Sequence, residues 1–151
     1  MGNFNTAFTK IIKNEGGYVN DPNDKGGETY LGISRRYHAD SKMWEYIDSY
    51  KRTNPGISAS KLTAILKKDT RIDDIAKEIY KTQYWNKLRC DEINAQRIAE
   101  QFFDMGVNAG LSKAIKLMYD ITNEYPPYSV VTDSLIKAIN AYGRRKYTRK
   151  I

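Results

Sequence analysis

Residues 15–32 interrupt a chain that otherwise reads as helices, and they limit its fold more than any other stretch. The segment runs Glu15-Gly16-Gly17-Tyr18-Val19-Asn20-Asp21-Pro22-Asn23-Asp24-Lys25-Gly26-Gly27-Glu28-Thr29-Tyr30-Leu31-Gly32, with five glycines and four carboxylates. Asp21-Pro22-Asn23-Asp24 is turn chemistry, and Gly17, Gly26, Gly27 and Gly32 open backbone conformations closed to other residues. A helix cannot continue through such a run. Tyr18-Val19-Asn20 and Tyr30-Leu31-Gly32 are expected instead as short strands of a small hairpin.

Upstream, Phe4, Ala7, Phe8, Ile11 and Ile12 recur at helical spacing, so an amphipathic first helix is expected. Asn3 or Asn5 can cap its start, and Gly16 can end it. Glu15 then falls in the last turn, at the negative end of the helix dipole. The charged carboxylate is disfavoured there, and partial burial acts in the same direction, as a general acid requires. Cutting a glycosidic bond needs one carboxyl to protonate the leaving oxygen and a second on the opposite face of the ring. Asp21, Asp24 and Glu28 are chemically equal candidates for that second acid, and each also reads as a turn-forming or solvated residue.

Downstream, apolar residues keep a helical period between turn signals. Ser41 can cap a segment with Met43, Trp44, Ile47 and Tyr50, and Asn54-Pro55-Gly56 is a turn. Ser58 or Ser60 can cap Leu62, Ile65 and Leu66; Thr70-Arg71-Ile72-Asp73 leads into Ile75, Ala76, Ile79 and Tyr80. Asn94 and Ser112 are candidate caps for two further helices, Pro126-Pro127 breaks the chain, and Thr132 or Asp133 opens a last helix.

Several function classes lack support. Cys90 and His38 are the only cysteine and histidine, so no zinc-type motif exists and no intrachain disulfide can form. There is no phosphate-binding loop, Gly26-Gly27 fits no dinucleotide fingerprint, and no Ser-His-Asp set is convincing. No apolar run is long enough to span a bilayer, and the N-terminus lacks a signal-peptide pattern. Met1-Gly2-Asn3 with Thr6 only superficially matches a myristoylation start. The 151 residues suffice for one compact domain, or one with a small helical subdomain. The formal net charge of +7 reads as a solvated basic surface, or as attraction to an acidic polymer such as nucleic acid or the bacterial wall. Arg144-Arg145-Lys146 and the residues to Lys150 form its densest cluster.

The run Glu-Gly-Gly-Tyr, then Asn-Asp-Pro, Asp, Gly-Gly, Thr and Gly-Ile, resembles the lysozyme-like muramidases of glycoside hydrolase family 108. That group includes phage endolysins and bacterial secretion activator proteins. Tyr80, Tyr84-Trp85, Phe103-Asp104, Asn108 and Gly110 resemble its later motifs. The resemblance implies that Glu15 is the catalytic acid. In related phage lysozymes a glutamate is followed by eight residues, an aspartate, five residues and a threonine. Here eight residues separate Glu15 from Asp24, and four separate Asp24 from Thr29, which points to Asp24 as partner and Thr29 as water-positioning residue.

The expected fold is mainly α, an α+β lysozyme-like helical bundle with a small β-hairpin or irregular loop after the first helix. Residues 1–91 are expected to form the catalytic region and residues 92–151 a helical region resembling a peptidoglycan-binding segment, packed as one unit. The expected activity is cleavage of the β-1,4 bond between N-acetylmuramic acid and N-acetylglucosamine, without a cofactor or metal. Tyr18, Tyr30, Tyr84, Trp85 and Asn108 are expected to contact the glycan. Core packing is an equal expectation for Trp85, and a capping role is the alternative for Asn108 and for Asp104, one turn away on the same helical face. The alternatives are a lytic transglycosylase using Glu15 alone, and a non-catalytic module that binds wall or nucleic acid. A monomer acting on peptidoglycan strands is expected, with neither membrane insertion nor nucleic acid as partner. It would be made in the cytoplasm and reach the periplasm or wall by a holin-type or other non-classical route.

Overall fold

The computed structural model describes residues 2–23, 27–125 and 129–148. Asp24, Gly26 and the Pro126-Pro127 break lie outside the described residues. The first helix, α1, spans Phe4–Asn14 and buries Phe4, Ala7 and Ile11. Asn3 caps it, its Oδ1 accepting the Thr6 N–H at 3.1 Å. The fold is mainly α with a small antiparallel sheet, as the chain's periodicity requires.

By compactness the chain divides into residues 10–79 and a second unit of residues 1–9 with 80–151. The boundary at 91/92 separates regions by family resemblance, which is a different criterion. None of the described helices is long and apolar enough to cross a membrane.

In residues 10–79, the strands are β1 (Val19–Asn20), β2 (Glu28–Tyr30) and β3 (Ile33–Ser34). They pair in the order β1-β2-β3, with Val19 opposite Thr29 and Tyr30 opposite Ile33. The hairpin is therefore extended by a third strand, and Leu31-Gly32 form a turn rather than continuing the second strand. Both turn residues have positive φ, 52° and 76°, as a two-residue turn matching strand twist demands. Gly32 adopts this freely; Leu31 does so at a cost of about 1–2 kcal/mol, offset by burial of its side chain.

Three helices complete this unit: α2 (Met43–Thr53), α3 (Ala59–Leu66) and α4 (Thr70–Tyr80), whose last residue, Tyr80, is assigned to the second unit. Met43, Trp44 and Ile47 are buried on α2, and Leu62 and Leu66 on α3. Ser41 Oγ accepts the Met43 N–H, and Ser58 Oγ accepts that of Lys61. The cap of α4 is Asp69, one residue before the expected start. Its carboxylate accepts the Arg71 backbone N–H, two Arg71 guanidinium bonds and the Tyr50 hydroxyl.

In the second unit a π-helical turn (Lys81–Trp85) and a 3-10 turn (Cys90–Glu92) precede α5 (Gln96–Ala109), α6 (Leu111–Thr122) and α7 (Asp133–Thr148). Thr132 caps α7 through the Leu135 N–H. Two expected caps are displaced: Ala95 precedes α5, and Gly110, at φ 104°, precedes α6, so Ser112 already lies within that helix. Gly110 alone joins α5 to α6, a junction that needs its left-handed backbone.

Candidate active site

Glu15 is the first residue beyond α1, and its N–H still donates to the Ile11 carbonyl at 2.9 Å. It is half-buried. Of the residues that follow, Gly17 and Tyr18 are pinned to α3. A Cβ on Gly17 would overlap the Thr63 side chain, so only glycine permits this approach. The Tyr18 N–H donates to Thr63 Oγ1 at 2.9 Å, and that hydroxyl donates in turn to the Ala59 carbonyl. The acid therefore sits between a helix end and a strand start, both held by regular structure.

Beyond Tyr18, the sheet is locked to α2 by one ionic cluster. Glu28, its side chain only 12% exposed, is the hub. It accepts from the Tyr18 hydroxyl, from Lys51 Nζ at 2.9 Å and from Arg35 Nη1 at 3.0 Å. Arg35 also grips both oxygens of Asp48, at 2.7 and 2.6 Å. Burial alone would raise the Glu28 carboxyl, but the bonds from Lys51, Tyr18 and Arg35 outweigh it and hold it below the usual carboxylate range. Arg35 lowers Asp48 likewise.

The other acids differ. Asp21 is exposed, and its Oδ1 accepts the Asn23 N–H at 2.9 Å, a local turn bond. Asp24 lies outside the described residues. Thr29 is half-buried on β2. Strand alternation turns its side chain to the face opposite Glu28 and Tyr30. Asp73, in the first turn of α4, is half-buried; burial, then the charges of Asp74 and Asp69, push its carboxyl up.

Three aromatic residues expected at the glycan are buried: Tyr18, 8% exposed, still lines a surface hollow, whereas Tyr30 and Trp85 are fully enclosed in the core. Tyr30 is 0% exposed and its hydroxyl has no partner among the described residues. Burial, with the nearby Asp73 charge, pushes it up to about 12. Trp85 is also 0% exposed. Its indole N–H donates to Asp91, and its ring meets Phe4 and Phe103 edge-on at 5.6 and 5.3 Å. A ring enclosed in this way has no face left for a sugar. Tyr84 is half-buried, beside Tyr80 at 5.9 Å. Asn108 is exposed and donates to the Asp104 carbonyl and carboxylate, both at 3.0 Å. Both residues line a groove of about 550 Å³ between α5, α6 and α7. Gly2, the residue a myristoyl chain would need, packs closely against the Cys90 carbonyl and Trp85. No group of three metal-ligating side chains converges among the described residues.

The sequence profile of the glycosyl hydrolase 108 family matches residues 8–110. The chain belongs to that family. Glycosyl hydrolase 108 membership makes it a glycoside hydrolase and implies lysozyme-like action on peptidoglycan. Among solved structures it is similar to that of Brucella abortus SagA, at 25% identity and a TM-score of 0.61. That match covers 91% of this chain and 68% of the SagA chain. No match is found among curated proteins.

The glycosyl hydrolase 108 match contains the Glu15 loop, the Glu28 cluster and the aromatic motifs, and it ends at the α5–α6 junction. The later motifs thus have a structural meaning: Tyr80, Trp85 and Phe103 form an aromatic core with Phe4. Asp48, Lys51 and Asp69 carry much of the local electrostatics and escaped the sequence reading. The partners of Asp48 and Lys51 lie on distant strands and loops, so no short-range pattern marks them.

Proposed function

We propose that the protein is an N-acetylmuramidase that cleaves the β-1,4 bond between N-acetylmuramic acid and N-acetylglucosamine. The observation that carries this is the mounting of Glu15: half-buried, just past α1, followed by a loop clamped to Thr63. Preorganisation of this kind suits an acid that must meet a glycosidic oxygen. Glu15 donates its proton to the leaving oxygen. The partner is Asp24, which stabilises the oxocarbenium-like transition state or activates water, and Thr29 positions that water. Glu28 is a poor rival because its oxygens already accept three donors that hold it ionised. Tyr84 and Tyr18 remain glycan contacts in this reading; Tyr30, Trp85 and Asn108 serve packing or local hydrogen bonding.

Mass spectrometry of digested, purified peptidoglycan is the direct test. Wild-type protein should yield reducing muramic acid ends, and Glu15→Gln should yield at least about a hundred-fold less product with unchanged circular dichroism. Anhydro-muramic ends would replace hydrolysis by transglycosylation. Absence of cleavage would remove the enzymatic reading of this chain.

A further inference from the structure

A hollow of about 380 Å³ lies within residues 10–79, beside the Glu28 cluster. Its walls include Tyr18, Asn20, Lys51 and Asn54, and its floor includes Ile57 and Leu62. Lys51 is the one charged side chain lining it, and no carboxylate lines it among the described residues. The Lys51 ammonium binds Glu28 and stands 5.6 Å from the centre of the Tyr18 ring, which fixes its position. Three N–H donors are available to an ammonium; the Glu28 carboxylate takes one and the Tyr18 hydroxyl a second, which leaves one for a ligand. Asn54 Nδ2 donates to the Tyr50 carbonyl and Thr53 Oγ1, so its Oδ1 is the atom left for a ligand.

The hollow is also close to the proposed acid. Tyr18 follows Glu15 by three residues, so their Cα atoms are at most about 11 Å apart. That is within reach of one short oligosaccharide. The clamp of Gly17 and Tyr18 on Thr63 fixes this wall relative to the acid. The hollow thus offers an amide acceptor for an acetamido N–H, an apolar floor for its methyl, and a cation for an acidic substituent. Uncharged amino-sugar polymers lack the last of these.

We propose that this hollow is a glycan subsite that recognises the acid-bearing 3-O branch of a muramyl residue, with Lys51 as its specificity-determining side chain. The proposal rests on the muramidase reading. The carboxylate has two sources: the lactyl group itself in peptide-free strands, or an acidic residue of the attached peptide.

The test compares kcat/KM on intact wall, on peptide-free strands, and on peptide-free strands with amidated lactyl carboxyls. Wild-type protein should prefer an acid-bearing strand over the amidated one at least about five-fold, the strength of a partly exposed charge-assisted bond. Lys51→Met should erase that ratio, and Lys51→Arg should keep most of it. A preference for peptide-free acid strands assigns the carboxylate to the lactyl group; a preference for intact wall alone assigns it to the peptide. Equal rates on all three substrates in the wild type, or an unchanged ratio in Lys51→Met, would overturn the subsite. Should Lys51→Met fail to fold, binding of acid and amidated strands to Glu15→Gln carries the same comparison, and equal affinity would overturn it. Lack of any cleavage by wild-type protein defeats the muramidase reading instead, and the binding comparison still reports on the subsite.

Discussion

Gly17 shows how one missing side chain places a catalytic loop. Its backbone lies so close to Thr63 that a methyl group would overlap Cβ, Cγ2 and Oγ1 of that residue. Gly17→Ala should therefore cost about 1–3 kcal/mol of stability, the usual range for overpacking. Thr63→Ala removes the two closest atoms, Cγ2 and Oγ1, leaves Cβ at 2.9 Å, and also removes the acceptor for the Tyr18 N–H. Combined, the two changes should destabilise less than their sum, because the second relieves the strain of the first. Additive losses in denaturant titrations would mean that the contact is not what requires glycine here. Asp24 is tested at the same scale. Asp24→Asn should lose muralytic activity with little change in stability. Asp21→Asn, which alters an exposed turn bond, should leave activity within a few-fold of wild type. A larger loss for Asp21→Asn than for Asp24→Asn would reassign the partner acid.

Among the elements, the sheet and α2 are joined by charge. Glu28, Asp48 and Asp69 all titrate below the usual carboxylate range in the folded protein. Each adds stability that is fully present above its unfolded value, near ~4, and is lost as pH falls through the lower folded value. Asp73 works in the opposite sense: its raised carboxyl favours the folded state on the acid side and blunts the loss. Thermal unfolding should thus be nearly flat from neutral pH to about 5 and then fall below about 4. Glu28→Gln turns an acceptor of three donors into a poor match, at a cost of about 2–3 kcal/mol at neutral pH. That gap should close as wild-type Glu28 itself becomes protonated; a gap of equal size at pH 3 and pH 7 would show that charge is not its source. The contrast with sequence reading follows from the same physics. Caps at Asn3, Ser41, Ser58 and Thr132 are local bonds, and they were legible as residue types at the right offset. The burial of Tyr30 and Trp85 was not, because an aromatic near a motif looks alike whether its ring faces a groove or a core. The Glu28 cluster was hidden because its hydrogen-bonded pairs are separated by up to 23 positions.

For the molecule as a whole, charge is the property that reaches beyond any one contact. The net charge of +7 includes Arg144, Arg145 and Lys146, which are exposed near the end of α7. A peptidoglycan hydrolase with such a surface should gain local concentration on an anionic wall. Salt weakens that gain, because screening limits surface charges to roughly 8 Å at physiological ionic strength. Activity on whole walls should therefore fall as salt rises, whereas turnover of a short uncharged chitin-type oligomer should change little. Truncation after Tyr142 is a poor probe of this effect. It would cut into α7 and remove Gly143, where a Cβ would stand 2.9 Å from Ile98 Cδ1, so packing and charge would be lost together. Replacing Arg144, Arg145 and Lys146 by glutamine keeps the helix and removes three charges. The variant should bind walls more weakly and show a shallower salt dependence, with its rate on the small substrate within a few-fold of wild type. If both substrates respond equally to salt, the charge acts through folding or the active site, and recruitment to the wall is not its role.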